Sequence, residues 1–336
     1  MGDHTTDLVA LLREHLDVVD VRHGMPGEDS VREIRRYRKH VQRLVSESPP
    51  NTVVHAEASG GASPSYWAML GLKARRTVAI HDAPRPYWFP TLTRGIARMR
   101  LVRAGLLRLL SPIHLAMERR FLRDVDVLTM TDVGAVAVEN THLGRRVTST
   151  RLLVPPREPI VPPMARPRAV GLFGHVYRGK GFEHLAQLRV LLPDDVAVRV
   201  AGRGTDALPV IAGVDVAGAV EGPDVDEWFA SVRVILLPYR RAPIGGVRAV
   251  AASAVQALAT AYDTPCLALE SPSMRELSDE GGCEVFPTLA ALAERAVTIA
   301  RGDDAARDAQ LRVVAHRLGR LPERTVGDYL SLWSHA

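Results

Sequence analysis

The sequence predicts an α/β protein with two domains, each built on a parallel β-sheet. Short apolar runs alternate with amphipathic helical patterns along both halves of the 336-residue chain. Strands that alternate with helices are typical of βαβ units, in which parallel strands share one sheet. Between the halves, residues 154–167 contain six prolines, which can continue neither a helix nor a central strand. We therefore expect a stiff extended linker at this point.

In the first half, residues 1–153, the spacing of the apolar residues predicts each helix and strand in turn. Helical spacing predicts helices, and unbroken apolar or β-branched runs predict strands. The predicted helices cover residues 7–16 and 31–46, and a longer Arg-rich helical stretch covers 91–123. The predicted strands cover residues 18–21, 52–55, 77–80 and 125–130. Because only six residues precede the first helix, the first strand of such a domain would be missing or would lie upstream.

The second half, residues 168–320, repeats this alternation. Its predicted strands cover residues 169–173, 196–200, 214–216, 232–237 and 266–269. Its predicted helices cover residues 181–191, 224–230 and 247–260, followed by closing helices. Residues 321–336 predict a last helix that could pack back on the first domain. Both domains are predicted to be Rossmann-like, doubly wound parallel sheets, which bind ligands at the carboxyl ends of their strands.

The composition is that of a globular, cytoplasmic protein. The chain is 46% hydrophobic and 24% charged, as expected for a protein with a packed core. No apolar run approaches the ~18 residues that a membrane span needs. The acidic N-terminus lacks the apolar core of a secretory signal. Two cysteines, Cys266 and Cys283, are too few for a disulfide framework or a zinc site.

A glycine-rich loop after the strand at 169–173 is the first candidate site. Only three of the 43 basic residues are lysines, and Lys180 lies in the segment Gly-His-Val-Tyr-Arg-Gly-Lys-Gly that begins at Gly174. Glycines let backbone N–H groups approach an anion, and a helix N-terminus adds positive potential. His175 and Arg178 would add side-chain donors. The loop therefore predicts a site for a phosphate-bearing ligand.

Two other interpretations of this loop remain open. Residues 174–180 match the first seven positions of a P-loop, but Gly181 stands where a Ser or Thr should hold magnesium. A P-loop-like protein that binds a nucleotide triphosphate is thus an alternative. The loop could also be a Gly-rich turn with solvated charges.

A zinc deaminase is excluded by cysteine spacing. His55-Ala-Glu57 and Pro265-Cys266 match parts of its signature, but position 269 is Leu rather than the second cysteine.

Two further loops follow predicted strands of the second half. Residues 201–206 place Gly202 in a Gly-x-Gly turn, a weak signal that a tight turn explains equally well. Residues 238–246 contain Arg240 and end in Gly245-Gly246. We expect these two glycines to begin a helix and to offer N–H groups to a second anion site.

His81 and Asp82 follow the strand at 77–80 and precede a loop rich in proline and aromatic residues. A single histidine is more often a structural hydrogen-bonding residue than a catalytic one. Its place at the carboxyl end of a strand favours contact with a ligand, and Asp82 could orient the imidazole.

The Arg-rich stretch at 91–123 interleaves arginines with leucines and isoleucine. A basic amphipathic helix can lie on anionic lipid, or it can be a solvated helix packed on its own sheet. Peripheral membrane contact through this stretch is therefore possible. No nucleic-acid partner is expected, because the chain has no recognition motif and residues 191–230 are acidic.

Taken together, these motifs resemble the two-domain GT-B glycosyltransferases, in particular the retaining family-4 group that uses nucleotide sugars. The resemblance is best over residues 168–290. It rests on Gly174-His175 with Lys180-Gly181, the turn at 201–204, the Pro-Tyr end of the strand at 232–239, and the segments 264–268 and 271–277. His81-Asp82 is similar to the family's histidine at the end of a first-domain strand.

The resemblance implies two domains that face a cleft and transfer a sugar from a nucleotide diphosphate sugar, such as a UDP- or GDP-sugar, without a metal and without a permanently bound cofactor. The acceptor would be a hydroxyl or amine of a small metabolite or a lipid head group. The donor diphosphate would be held by Gly174, His175, Arg178, Lys180, Gly245 and Gly246. The donor nucleotide or sugar would contact Gly202, Arg240 and Gln256. His81 would be the catalytic residue, with Glu57 and Asp82 on the acceptor side.

The chain departs from the family at two carboxylates. The family's second domain carries two glutamates eight positions apart. If Gln256 matches the second, the first falls on Arg248; if Gly245 matches the family's loop glycine instead, the first falls on Ala242. Neither register supplies a glutamate. A non-catalytic partner protein that binds a nucleotide sugar is therefore the second functional interpretation.

Overall fold

The structure is a computed structural model that divides into two units. It describes residues 2–24, 28–58, 63–85, 93–97, 99, 105, 109–177, 179–240 and 250–334. Unit 1 comprises Met1–Arg151, Pro243–Ala252 and Glu323–Ala336, and unit 2 comprises Leu152–Ala242 and Ser253–Pro322. The chain thus crosses between the units at four points, and the short segment 243–252 was not separated from the second half by the sequence pattern.

Helices and strands alternate along the described chain. The helices are α1 (Gly2–Leu12), α2 (Val31–Glu47), α3 (Ser63–Met69), α4 (Arg94–Ala97), α5 (Ser111–Leu122), α6 (Asp132–Glu139), α7 (Leu185–Leu191), α8 (Pro223–Ala230), α9 (Ala254–Ala261), α10 (Pro272–Asp279), α11 (Leu289–Arg301), α12 (Asp303–Leu318) and α13 (Pro322–Ser334). The strands are β1 (Val53–Ala58), β2 (Arg75–Ile80), β3 (Asp82–Ala83), β4 (Asp126–Thr129), β5 (Arg146–Ser149), β6 (Ala169–Phe173), β7 (Ala197–Ala201), β8 (Val214–Val216), β9 (Val234–Leu237), β10 (Val250–Ala251), β11 (Cys266–Leu269) and β12 (Glu284–Phe286). None of the described helices is both long and apolar enough to cross a membrane.

The predicted fold class is confirmed, since each unit contains a parallel sheet whose strands alternate with helices. Two predicted elements are wrong. Residues 18–21 form no strand, and Val19 is 66% exposed, so this run buries too little apolar surface to join a sheet. The helix predicted from residue 247 begins at Ala254, because Ser253 caps it by accepting a hydrogen bond from the Gln256 N–H. β10 lies where that helix was expected.

The sheet of unit 1 has the order β1-β2-β4-β5, with every neighbouring pair parallel. Ala58 pairs with Ile80, and Ile80 pairs with Thr129, so three carboxyl ends meet at one edge. The His81 N–H donates to the Ala58 carbonyl, which fixes His81 at that edge. A separate antiparallel pair joins β3 to β10.

The sheet of unit 2 is doubly wound, with the order β12-β11-β9-β6-β7-β8. The chain runs from β6 through β7 to β8 on one side, and returns through β9 and β11 to β12 on the other. The direction reverses between β6 and β9, so the loops that follow these two strands diverge and leave a crevice. Such switch points are where open α/β sheets bind ligands.

Both faces of this sheet are buried, as the apolar strands require. Along β9, Val234 and Leu236 belong to one core cluster, whereas Ile235 and Leu237 belong to the other. This alternation follows from the two-residue period of a strand. Helices α7, α11 and α12 cover the first face, and α8, α9 and α10 cover the second.

The proline-rich segment is tied to unit 2 by the buried guanidinium of Arg166. Its Nη1 donates to the carbonyls of Phe229 and Val232 and to Thr264 Oγ1, and its Nη2 donates to the Tyr262 carbonyl, over 2.7–3.2 Å. Burial lowers the pKa of Arg166 to about 10, so the group stays charged at neutral pH. One side chain therefore joins the segment to α8, β9 and the end of α9.

Replacing this guanidinium should loosen unit 2. In Arg166→Met the carbonyls of Phe229, Val232 and Tyr262 lose the hydrogen bonds that the guanidinium donates, and we expect a loss of about 3 kcal/mol. Amide hydrogen exchange resolved to peptides of β9 and α9 would show it as faster exchange. Arg168→Met is the matched control, because Arg168 is exposed and should change little. Equal exchange in the two variants would contradict the role given to Arg166.

Candidate functional site

The first candidate site is the loop after β6, residues 174–181, which we call the Lys180 loop. Gly174, Gly179 and Gly181 adopt positive φ angles of 117°, 87° and 95°, which other residues rarely adopt. A Cβ on Gly181 would lie 2.5 Å from Pro238 Cγ, so the loop is pressed against the residue that follows β9. The loop therefore lies at the switch point of the unit 2 sheet.

This close approach bears on the P-loop alternative. A P-loop needs a Ser or Thr after its lysine to hold magnesium. Position 181 has no room for any side chain beside Pro238, so the site cannot offer that hydroxyl.

Lys180 is 9% exposed. Its Nζ lies 4.1 Å from the centre of the Tyr239 ring, within the range of a cation–π interaction. Tyr239 itself lies at the end of β9 and its hydroxyl is 3.1 Å from Ser253 Oγ. A Cβ on Gly174 would be 3.5 Å from Lys180 Cε. The structure thus gathers Gly174, Lys180 and Tyr239 at the carboxyl ends of β6 and β9.

The backbone N–H groups of this loop already hold an anion. Gly179 N and Gly181 N donate to the two carboxylate oxygens of Glu183, each over 3.1 Å. These glycine N–H groups were predicted to bind a ligand phosphate, and here they donate to Glu183 instead. Lys180 stays a predicted phosphate-binding residue of this loop. The sequence feature that could have predicted these hydrogen bonds is the carboxylate of Glu183, two residues after the Gly-Lys-Gly segment.

His175 is exposed, and partial burial of its ring, followed by the charges of Arg203 and Lys180, lowers its pKa below 6.5. At neutral pH it is therefore an uncharged donor or acceptor and adds no positive charge to the loop. Arg178, Gly245 and Gly246 lie outside the described residues. Because α9 begins at Ala254, its N-terminal N–H groups are not those of Gly245 and Gly246, contrary to the prediction.

The residues predicted to contact the donor nucleotide or sugar have mixed surroundings. Gly202 packs its backbone on the Lys180 loop, since a Cβ there would lie 2.1 Å from the Gly174 carbonyl oxygen. Arg240 is exposed, and its N–H donates to the Gly179 carbonyl. Gln256 is buried, and its amide nitrogen donates to Thr260 Oγ1 over 2.8 Å and to the Gly282 carbonyl over 3.1 Å. Contact between Gln256 and a ligand stays a prediction.

The second candidate site is a set of polar side chains around Glu57 in unit 1, which we call the Glu57 cluster. Its members are His55, Glu57, Thr77, His81, Tyr329 and Trp333. Parallel register explains the first three, because His55 and Glu57 share one face of β1 and Thr77 pairs with His55 on β2. Tyr329 and Trp333 share one face of α13 because they are four residues apart.

Glu57 accepts hydrogen bonds from three side chains. Its Oε1 accepts from Tyr329 Oη over 2.9 Å and from His55 Nε2 over 3.0 Å. Its Oε2 accepts from His81 Nε2. Asp82 had been expected to orient the imidazole, but the partner on this ring nitrogen is Glu57. Among the residues that the structure describes, no group of three or more His, Cys, Asp or Glu could hold a metal ion.

Glu57 and His81 each stabilise the charged form of the other. Burial alone would raise the pKa of Glu57, but hydrogen bonds from His55 and His81 and the charge of His81 outweigh it and hold the pKa well below 4.5. Burial alone would lower the pKa of His81, but the hydrogen bond to Glu57, its charge and that of Asp82 raise it above 6.5.

No protein-family model and no curated protein matches the sequence, but solved structures share its fold. One is TarM of S. aureus, solved with fondaparinux, α-GlcNAc-glycerol and UDP, at a TM-score of 0.62, 11% identity and 90% coverage of this chain. Another is HepE of Anabaena, solved with UDP and glucose, at a TM-score of 0.60, 14% identity and 96% coverage of this chain. A third is the UDP-forming trehalose-phosphate synthase of Burkholderia vietnamiensis, at a TM-score of 0.56, 12% identity and 89% coverage of this chain. The chain spans 59% of TarM, 87% of HepE and 78% of the synthase. At these identities the likeness shows the fold, which is GT-B.

The Glu57–His81 pair predicts how the stability of unit 1 depends on pH. The pKa of Glu57 is lowered, so its contribution is lost as pH falls below 4.5. The pKa of His81 is raised, so its contribution is complete below pH 6.5 and is lost as pH rises through the folded-state value. We expect maximal protection of β1 and α13 between these limits, measured by hydrogen exchange corrected for intrinsic rates.

The control for this prediction is His81→Asn, which should abolish the loss above pH 6.5 while keeping the unit folded. Protection of β1 that does not change between pH 6 and pH 9 in the wild-type protein would contradict it.

Proposed function

We propose that the protein is a glycosyltransferase that moves a sugar from a nucleotide diphosphate sugar to an acceptor hydroxyl or amine. The observation that carries this proposal is the position of Lys180, a buried ammonium at the switch point of a doubly wound sheet in a GT-B fold. Sugar transfer leaves negative charge on the departing diphosphate, and a fixed cation in a poorly solvated site stabilises that charge. TarM and HepE were both solved with UDP, which favours a UDP-sugar over a GDP-sugar.

Within this proposal, Lys180 holds the donor diphosphate and Tyr239 holds Lys180 in place. His175 contributes a neutral hydrogen bond rather than charge. Gly202 and Gly174 let the loops after β7 and β6 approach each other, and the nucleotide lies beside them. Arg178, Gly245 and Gly246 keep the diphosphate-binding roles that the resemblance implies, and Arg240 and Gln256 keep their roles toward the nucleotide or sugar.

His81 is the catalytic residue of this proposal, and Asp82 lies on the acceptor side with Glu57. The resemblance supports a reaction without metal and with retention of anomeric configuration.

The Arg-rich stretch bears on the acceptor. The longer of its described helices, α5, buries His114, Glu118 and Leu122, and the Glu118 carboxylate accepts from Arg85 Nε over 2.6 Å. These contacts support a helix that packs on its own domain. A small, water-soluble acceptor in the cytoplasm is therefore preferred to a lipid head group.

The second candidate function is a non-catalytic protein that binds a nucleotide sugar. The observation that favours it is Gln256, which stands in place of a family glutamate and whose amide nitrogen donates to Thr260 and Gly282. A neutral side chain held inside unit 2 cannot supply the missing carboxylate.

Lys180→Ala should weaken binding of UDP measured by calorimetry without added metal. A charge-assisted contact to a phosphate is worth about 1.5–3 kcal/mol, so we expect a dissociation constant roughly ten- to a hundredfold higher. Lys73→Ala removes the same charge at an exposed position of unit 1 and should bind as the wild type does. Unchanged affinity in Lys180→Ala would remove this residue from the site, and binding of nucleotide triphosphate only with magnesium would favour the P-loop-like alternative.

Transfer and binding are separated by a turnover assay across UDP- and GDP-sugars. A transferase should release nucleotide diphosphate slowly by hydrolysis even without its acceptor, and Lys180→Ala should slow that release. Nucleotide-sugar binding with neither transfer nor hydrolysis would overturn the enzyme proposal and leave the non-catalytic one.

A further inference from the structure

The hydrogen bonds of the Glu57 cluster reveal which of its two histidines is charged. Trp333 Nε1 donates to Thr77 Oγ1 over 3.1 Å, and an indole nitrogen can only donate. Thr77 is fully buried, so its own hydroxyl hydrogen needs an acceptor inside the protein. His55 Nδ1 lies 2.7 Å from the same oxygen. The hydroxyl therefore donates to His55 Nδ1, which must be unprotonated.

This assignment also fixes the protonation of the other ring nitrogen of His55 and the charge of the ring. An imidazole with an unprotonated Nδ1 carries its proton on Nε2 and is neutral. That Nε2–H is the donor that reaches Glu57 Oε1 over 3.0 Å. His55 is thus a neutral member of a chain of donors that runs from Trp333 through Thr77 and His55 to Glu57.

Tyr329 is also a neutral donor to the same oxygen. It is fully buried, and burial together with the charge of Glu57 raises the pKa of its phenol well above 10. The phenol therefore keeps its proton and donates it to Glu57 Oε1 over 2.9 Å. Oε1 is satisfied by two neutral groups, and the charge of the carboxylate remains to be balanced through Oε2.

The group on Oε2 is His81. We propose that Glu57 and Tyr329 are positioning residues that hold His81 as an imidazolium, so that His81 offers a bound donor sugar a fixed cation and is not a general base. The charge of Asp82 on β3 also raises the pKa of His81, and His55 on β1 and Tyr329 on α13 donate to the same carboxylate. The side chain of His81 is 14% exposed and that of Glu57 is 18% exposed, so neither side chain is fully enclosed.

The proposal changes the role of Glu57 and of the last helix. The resemblance placed Glu57 on the acceptor side, but both of its oxygens accept from side chains of unit 1. α13 lies more than 240 residues from His81 in sequence, yet its Tyr329 is one hydrogen bond from the carboxylate that holds the imidazole. The part that concerns the donor sugar rests on the proposed function, whereas the charge and the hydrogen bonds of His81 do not.

The direct test is NMR of protein labelled with ¹⁵N-histidine, assigned with His55→Gln and His81→Gln. At pH 7 we expect both ring nitrogens of His81 to be protonated and His55 to be the neutral Nε2–H form. In Glu57→Gln, which keeps the shape and removes the charge, the proton affinity of His81 should fall at least tenfold. If wild-type His55 is the imidazolium and His81 is neutral, or if His81 titrates alike in both proteins, the proposal is overturned. The wild-type spectrum decides this even if the variant fails to fold.

A matched pair of variants tests Tyr329. Tyr329→Phe removes the hydrogen bond to Glu57. Thr150→Val removes the 2.7 Å hydrogen bond from Thr150 Oγ1 to Asp328 Oδ2, which also holds α13 against the rest of unit 1. We expect Tyr329→Phe to shift the His81 ring signals and to lower kcat several-fold at unchanged donor KM. Thr150→Val should change neither. Equal effects of the two variants would reduce Tyr329 to an anchor of the helix and overturn its positioning role.

Activity then separates this inference from the proposed function. If transfer occurs, the rate should fall as pH rises through the pKa of His81, and Glu57→Gln should move that fall at least one pH unit lower. An unchanged pH profile would overturn the link to the reaction. An imidazolium at His81 in a protein that turns over no nucleotide sugar would sink the proposed function and leave the charge assignment standing.

Discussion

Unit 1 depends on the need to balance the carboxylate of Glu57. Glu57 lies on β1 between the buried Ala56 and Ala58, its side chain is 18% exposed, and an unpaired charge in such a poorly solvated position is costly. The cost is met by donors from three elements: His55 on the same strand, His81 after β2 and Tyr329 on α13. Because each donor must be in place for the charge to be satisfied, the same requirement fixes the register of the strands, the docking of the last helix and the orientation of His81.

Unit 2 solves the opposite problem, since its buried charge is positive. The ammonium of Lys180 lies over the Tyr239 ring, which stabilises a cation without neutralising it, whereas the nearby carboxylate of Glu183 is engaged with the N–H groups of Gly179 and Gly181. A ring face stabilises a cation through its quadrupole rather than through an opposite charge. The glycines therefore shape the loop, and within the proposed function the lysine is the residue that attracts the phosphate of the ligand.

The sequence predicted five strands of unit 2 well, because burial on both faces of a sheet requires short apolar runs. It did not predict β5 or β12, whose residues are mostly half-buried. β6, β8 and β11 match their predicted bounds, and β9 and β7 differ from theirs by one or two residues at their ends. What could not be predicted depends on residues far apart in the chain. The Trp333–Thr77 bond spans 256 residues and Tyr329–Glu57 spans 272, and no local pattern marks either partner. β10 was missed for a related reason, since a two-residue strand exists only through its pairing with β3.

The two candidate sites also differ in how far chemistry can be inferred from residue type. A Gly-rich loop with a lysine suggested a phosphate cradle, but the same glycine N–H groups can bind any anion, and the chain supplies its own in Glu183. A histidine at a strand end suggested a residue that contacts a ligand, yet its function depends on its proton, which neighbouring groups control. In both cases the residue was found from the sequence, while its surroundings depend on side chains that only the fold brings together. Tyr239 lies against the Lys180 ammonium, and Glu57 accepts a hydrogen bond from His81. Three-dimensional placement of these partners, rather than the motifs themselves, therefore determines the environment of Lys180 and His81.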